Sequence, residues 1–445
     1  MHLKLDHLPV AGLLFAWSPG WAQELSLPQQ EPPPIASSDP AGELVRKLNE
    51  ATGLELWGYG RGGVYSSPSG QAKGGYTLGG DLQHYRLGNE GDNYLEFGIG
   101  KQFALGKGSK LGFFYMPSIY NGKSGTAQAY VALSGIAGSS ATLWAGQRYH
   151  RIHDIHILDK WILEDGDNYG LGIDGLPMGV LGRLNAAIYT ADSIDSKSRN
   201  DNNAGRLNLQ WQDIPSNANG KLTLTAALVS GKFSRGRDGL ALGLMHQQKD
   251  FLLSRLNHTL VLQASSGHAA INGKFYNLDV RGPEKASGLP RDGAVAAAPA
   301  PPTPAASQPG AKQYRLLDTI DFQWGKWGGQ ALLGYQSLQP DNGVQTRDLS
   351  VGGRLSYGVA PYTKLLAELG STRRNMQHQD RQQLSKATLA VAFSPNTDFW
   401  TRPELRVYVS HARWNQAASR ANVTSYGSHG RTSSTLFGIQ AEAWW

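Results

Sequence analysis

The sequence predicts an all-β protein, read as an antiparallel β-barrel that crosses a membrane. Three observations carry this. Apolar and polar residues alternate in several segments near the ~10 residues with which a tilted strand crosses a bilayer. The composition is rich in Gly (55), Tyr (18) and Trp (12) yet polar on average, with mean hydropathy −0.38. Four Asn-Gly pairs, starting at Asn121, Asn219, Asn272 and Asn342, are hairpin-turn signals suited to an antiparallel meander. No run of about 20 apolar residues occurs, which excludes helical membrane spans. Cysteine is absent, which excludes a disulfide scaffold or a cysteine-based metal cluster.

Residues 1–22 read as a secretory signal. Lys4 precedes the apolar stretch from Val10 to Trp17, and small residues at Gly20 and Ala22 place cleavage after Ala22. Residues 23–53 form an extension on the periplasmic side. It opens with Pro28, Pro32, Pro33 and Pro34 and is extended there. Leu44, Val45 and Leu48 then share helical spacing within Gly42–Glu50, after Ser38 and Asp39 as caps, which supports one or two helical turns.

The barrel is expected over residues 54–445. At its start Glu55, Trp57, Tyr59 and Arg61 share one strand face. From Asn93 to Phe103, Leu95, Phe97, Ile99 and Phe103 oppose Tyr94, Glu96 and Gln102. Residues 283–312, rich in Ala and Pro, form a long surface loop, because strand-like sequence of the same style flanks them. From Arg402 to Ser410, Leu405, Val407 and Val409 oppose Arg402, Glu404, Arg406, Tyr408 and Ser410. The chain ends with Phe437, Ile439, Ala441, Ala443 and Trp445 on one face and Gly438, Gln440, Glu442 and Trp444 on the other.

Alternation alone fits a soluble sandwich with its polar face outward, or a barrel with its apolar face toward lipid. The signal peptide, the segment lengths and the aromatic residue ending the last strand favour the barrel. A formal charge of +7 could indicate a nucleic-acid partner, but Lys and Arg are dispersed rather than clustered, so no nucleic acid is expected. Basic side chains along an aqueous path fit better.

Several stretches resemble the maltoporin-like carbohydrate porins. They are Gly58-Tyr59-Gly60-Arg61, Tyr85-Arg86-Leu87-Gly88-Asn89-Glu90, Leu143 to Arg148 with His153-Asp154-Ile155-His156, Arg315 to Asp318, Trp400-Thr401-Arg402-Pro403, and Phe437 to Trp445. The resemblance implies an eighteen-stranded, trimeric barrel in the outer membrane of a Gram-negative bacterium. It implies passive diffusion of maltose- or maltodextrin-type oligosaccharides, with no cofactor, no metal and no covalent chemistry. Such channels carry a slide of aromatic residues for the apolar faces of sugar rings, flanked by an ionic track for their hydroxyls. By resemblance, Tyr59, Tyr94 and Trp444 are slide residues. Arg61, Arg86, Glu96, Asp154 and Asp159 belong to the track, the last two in an inward-folded loop, and Trp161 stands at the constriction. Ile152 occupies the place of a track arginine, with Arg151 beside it, while Val359 and Leu242 fall where two further slide aromatics would be.

Other constellations have simpler readings. His150, His153, Asp154 and His156 are possible metal ligands but fit a hydrogen-bonded loop better. Gly58-x-Gly60-x-x-Gly63 lacks the strand-turn-helix context of a dinucleotide fingerprint and reads as closely packed strand glycines. Glu164 with Asp165 or Asp167 would suit a glycoside hydrolase only if two carboxylates flanked a bound sugar; a solvated acidic loop is the default. Trp211, Trp324 and Trp327 read as interfacial girdle or packing residues. A general diffusion porin without a sugar site and a secreted carbohydrate-active hydrolase remain the competing functions.

Overall fold

A computed structural model describes residues 40–67, 75–165, 169–190, 203–233, 236–278, 309–341, 343–427 and 430–445. The predicted leader, most of the extension, residues 283–308 of the Ala/Pro-rich loop, Asn342 and Asp167 lie outside them. The strands in chain order are β1 (Leu54–Ser66), β2 (Tyr94–Gly106), β3 (Ser109–Tyr120), β4 (Lys123–Ser134), β5 (Thr142–Gln147), β6 (His150–Ile155), β7 (Lys160–Asp165), β8 (Tyr169–Pro177), β9 (Arg183–Thr190) and β10 (Asn203–Asn217). They continue with β11 (Gly220–Lys232), β12 (Gly239–Gln248), β13 (Leu256–Ser266), β14 (Ala311–Trp324), β15 (Trp327–Pro340), β16 (Thr346–Ala360), β17 (Thr363–Met376), β18 (Gln382–Phe393), β19 (Glu404–Trp414) and β20 (Ser433–Trp444).

Eighteen of these form one antiparallel meander, and β1 pairs with both β2 and β20, so the sheet closes on itself. Closure leaves no unpaired edge, the condition for a sheet to stand in lipid. The remaining two, β6 and β7, form a separate hairpin inside the barrel. Short turns such as 107–108, 218–219 and 325–326 lie at one end. The long connections 67–93, 148–168, 267–310 and 415–432 leave the other end, which makes it the extracellular one by the usual asymmetry of outer-membrane barrels.

Strand parity sets what each face meets. On β20, Phe437 and Ile439 are 51 % and 45 % exposed, whereas Gln440 and Glu442 are 2 % and 1 % exposed. The same split separates Leu405 and Val407 from Glu404 and Arg406, and Leu95 and Phe97 from Glu96. Apolar residues thus face lipid and charged residues the lumen, the reverse of a soluble sandwich. Trp324 and Trp327 face outward beside the 325–326 turn. The Trp324 indole donates to the Ser254 carbonyl (2.7 Å) and that of Trp211 to the Leu181 carbonyl (2.7 Å), as suits an interfacial belt.

Some expectations need revision. The N-terminal helix α1 runs over Pro40–Thr52, 13 residues rather than one or two turns. Two ion pairs at helical i,i+4 spacing extend it, Arg46–Glu50 (2.6 Å) and Lys47–Glu43 (2.8 Å), and Gly53 closes it at φ +63° with its N–H on the Asn49 carbonyl (2.8 Å). The Asn121-Gly122 turn joins β3 to β4, and Ala218-Asn219 joins β10 to β11 with Gly220 already in the strand. Asn272-Gly273 makes no barrel hairpin. It closes a small bridge, Ala269 to Phe275, in the connection after β13. The Ala/Pro-rich segment joins two directly paired strands, β13 and β14, and its last residues Ala311 and Lys312 belong to β14. Arg402 precedes β19, in the turn that enters the short-turn mouth, and remains inside.

Two segments fill part of the lumen. Ile155, Ile157, Leu158 and Ile162 of the inner hairpin pack with Leu82 and Tyr85 against the wall residues Met245, Val261, Leu317 and Leu332. Tyr85 lies flat on β16 and β17 because Gly352 and Gly370 face it: a Cβ at either would stand 2.4 or 2.0 Å from its ring. Its hydroxyl meets Ser350 Oγ at 2.8 Å. The segment 75–93 packs in turn on β17–β20, with Tyr76, Leu78 and Leu87 against Leu366, Leu384, Ala390, Tyr408 and Ala412.

Candidate functional site

The inward positions of β1, β2 and β20 include both aromatic and charged residues, and hydrogen-bonded pairing brings them side by side. Tyr94 faces Tyr120 across β2 and β3, and Tyr59 faces Trp444 across β1 and β20. Ring centroids are 6.3 Å apart for Tyr120–Tyr94 and 6.1 Å for Tyr94–Tyr59. Trp444 then stands edge-on to His156 at 5.6 Å, and Trp400 meets the same imidazole at 5.4 Å. These rings form a row from the extracellular end of β3 to the turn 394–403 at the opposite mouth.

Charged groups border the row. Arg61 donates to both oxygens of Asp92 (3.0 and 2.7 Å) and to Asp159 (2.7 Å), and it pairs with Glu90 at 3.0 Å. Arg86 donates to Glu90 (2.8 Å) and to the Tyr59 hydroxyl (2.6 Å), and pairs with Glu442 at 2.9 Å. Tyr59 donates to Glu442 (3.1 Å), which also binds Arg402 (2.8 Å) and Arg406. Glu96 accepts from the Tyr94 and Tyr149 hydroxyls, the latter at 3.3 Å.

The inner hairpin stands opposite. Trp161 and Asp154 are register partners on it, and Asp159 sits at its tip, tied to the wall through Arg61. Burial pushes the Asp154 carboxyl up to about 7, against the pull of Arg86. Burial acts the same way on Asp159, but the Arg61 and Arg86 guanidiniums prevail and hold it well below the usual carboxylate range. Burial also lowers His153 to about 4 and drives His156 far below the ordinary histidine value, so both are neutral near pH 7.

The structure brings the nine residues singled out from the sequence to one part of the lumen: Tyr59, Arg61, Tyr94, Glu96 and Trp444 on the wall, Arg86 on the 67–93 connection, and Asp154, Asp159 and Trp161 on the hairpin. Three residues were missed. Tyr120 extends the row outward; its clue is inward parity with Phe114, Met116 and Ser118 up to the Asn121-Gly122 turn. Trp400 extends it at the other mouth, inside a stretch that carries the resemblance. Arg151 stacks over Tyr149 (3.9 Å to the ring centroid), lies 5.8 Å from the Trp161 ring and pairs with Glu164 at 3.6 Å. Its neighbour Ile152 turns instead to the apolar cluster under the hairpin. The one-residue offset thus separates a packing residue from a charged one.

Val359 and Leu242 contribute nothing to the row. They are 44 % and 52 % exposed on the outward face of β16 and β12. The possible metal ligands diverge: His150 meets Asp174 (3.3 Å) and Tyr189 (2.9 Å), His156 meets Arg86 (3.2 Å) and Arg402 (3.0 Å), and His153 reaches Thr319 (3.4 Å). Among the described residues no group of three or more His, Cys, Asp or Glu could hold a metal ion. Glu164 is held between Arg151 and Lys274 (3.4 Å). Gly58, Gly60 and Gly63 lie within β1, paired on both sides, and open no helix.

Aromatic planes beside paired donors and acceptors match a sugar ring, which has apolar C–H faces and a hydroxyl rim. A family model described as LamB porin matches residues 54–445. Solved structures similar to this chain include an anion-selective porin from Comamonas acidovorans, 13 % identical with TM-score 0.42 over 88 % of this chain and 99 % of that one. OpdQ of Pseudomonas aeruginosa is 9 % identical, with TM-score 0.46 over 88 % of this chain and 97 % of that one.

Proposed function

Since the chain belongs to the LamB porin family and is an outer-membrane porin of a Gram-negative bacterium, we propose that it passes maltose- or maltodextrin-type oligosaccharides by passive diffusion, as a homotrimer. Sugar rings stack in turn on Tyr94, Tyr59 and Trp444 while Arg61, Arg86, Glu96, Asp154 and Asp159 exchange hydrogen bonds with the hydroxyls and Trp161 bounds the narrow point. The observation that supports this best is the row of inward rings Tyr120, Tyr94 and Tyr59 with charged groups along it. Each contact is weak and repeated, as conduction requires: a single tight site would hold the sugar rather than pass it.

A general diffusion porin without a sugar site is the second reading, favoured by the outward orientation of Val359 and Leu242. Reconstitution in a planar bilayer separates the two. Ion current blocked saturably by maltodextrins is the expected result. Current insensitive to every sugar leaves the general porin, and absence of conductance together with sugar hydrolysis overturns both.

A further inference from the structure

The outward face carries its charge unevenly. Near the extracellular ends of β14, β16, β17 and β19, Lys312, Arg347, Arg373 and Arg413 point away from the lumen and are exposed. Within β14–β20 the outward acid is Asp318, at mid-height of β14 and already bound to His258 at 3.0 Å. The outward strand positions at this rim therefore supply no counter-charge, and the acids in the turns above are engaged elsewhere, Asp380 with Arg420 at 2.9 Å and Asp341 with Arg237 at 3.9 Å.

Register places three of these groups together. Arg347 faces Asn375, two residues along β17 from Arg373, a diagonal relation of roughly 7–8 Å. Arg373 faces Gln383 on β18, and Ser385, the next outward residue, faces Arg413 on β19. Two strand spacings and a two-residue offset separate Arg373 from Arg413, about 12 Å, within reach of two long side chains. No side-chain hydrogen bond or ion pair joins Arg373 or Arg413 to another described residue. The contrast with the lumen is direct: Arg374, the very next residue, turns inward and binds Asp348 through two contacts of 2.8 Å. Like charges gathered on a sheet face cost stability, so an anion outside the monomer would relieve them.

The surroundings indicate which anion. Immediately toward the membrane centre the same face presents Leu349, Val351, Leu369, Leu389 and Val407, all exposed. Beside the arginines Ser371 and Ser385 share a hydroxyl contact of 3.1 Å, and His411 Nδ1 meets Thr435 Oγ1 at 2.9 Å. Guanidiniums and hydroxyls above an acyl-facing wall fit a phosphorylated glycolipid, with phosphate at the rim and chains below.

We propose that the outward extracellular rim of β16–β19 binds the phosphate-bearing head of an outer-leaflet lipopolysaccharide, clasped by Arg373 and Arg413 with Arg347 alongside. The phosphate bridges the two guanidiniums, and the acyl chains lie on Leu349, Val351, Leu369 and Leu389.

The test uses the full chain in mild detergent, titrated with bis-phosphorylated lipid A and with the same lipid after dephosphorylation, binding being read by native mass spectrometry. The native chain should bind the phosphorylated form at least about tenfold more tightly. The variant R373S/R413S should lose about that preference, R373K/R413K should keep part of it, and planar-bilayer conductance should stay at the native value in both, reporting an intact barrel. Equal binding of the two lipids, or an unchanged preference in R373S/R413S, overturns the proposal. So does dissociation of the oligomer in R373S/R413S with lipid preference intact, which would place this rim between copies of the chain.

Discussion

Replacing Tyr94 by Ala should weaken sugar block of the channel about eightfold without closing it. A sugar resting on one face of the ring covers about a quarter of the ~200 Å² that a tyrosine can bury, and at ~25 cal/mol per Å² that contact amounts to about 1.2 kcal/mol, near eightfold in affinity. The loss is bounded because Tyr120 and Tyr59 flank the position at 6.3 and 6.1 Å and continue to offer stacking planes. Tyr94→Phe separates the ring from its hydroxyl. It keeps the plane and removes the donor to Glu96, which still accepts from Tyr149 at 3.3 Å, so its effect should stay within about threefold. The assay is the maltodextrin concentration that halves single-channel current in a planar bilayer. An unchanged half-blocking concentration in Tyr94→Ala would remove the ring from the sugar path, and a Phe variant as impaired as the Ala variant would shift the role from plane to hydroxyl.

Trp161→Ala should weaken sugar block while conductance persists or rises, since it removes bulk from the hairpin face opposite the row; single-channel current with and without maltodextrin reads both effects. Asp154, whose carboxyl burial lifts to about 7, is neutral below that pH and charged above it, so cation-over-anion permeability should rise between pH 6 and 8. Reversal potentials in a salt gradient measure this, and Asp154→Asn should flatten the profile, His153 and His156 being neutral throughout that range. Glu442→Gln removes the counter-charge shared by Arg86, Arg402 and Arg406 and should cost about 3–5 kcal/mol; a urea unfolding midpoint in lipid vesicles equal to that of the native chain would contradict this.

The barrel was legible in the sequence where one face of each strand meets lipid and the other meets water. That holds for β1, β2, β19 and β20, whose inward residues Tyr59, Arg61, Glu96, Glu404 and Glu442 stand against outward Leu95, Phe97, Leu405 and Phe437. None of the stretches that carry the resemblance falls between Gly179 and Pro309, and for β12 and β13, which lie there, the reason is physical. Their inward residues Met245 and Val261 are as apolar as the outward Leu240, Leu242 and Leu262, because the inner hairpin packs on them. A wall strand covered by protein on one face and lipid on the other loses the period-two signal. The sequence therefore fades where the lumen is filled.

The same logic separates the site residues that were found from those that were not. Tyr59, Tyr94 and Trp444 sit on strands whose alternation is intact, so parity alone gives their direction. Trp400 lies in the turn before β19, where no period exists and tertiary placement decides. Arg151 and Ile152 show the opposite difficulty: they are adjacent on β6, one against Tyr149 and Glu164 and the other in the apolar cluster, so a shift of one residue exchanges a charge for a packing contact. The hairpin is thus tied from both sides, by Ile152, Ile155, Ile157 and Ile162 to the apolar wall and by Asp159 to Arg61 on the wet one. On the proposed sugar path the hairpin bounds the narrow point, so any substitution that frees either attachment should alter sugar block and conductance together.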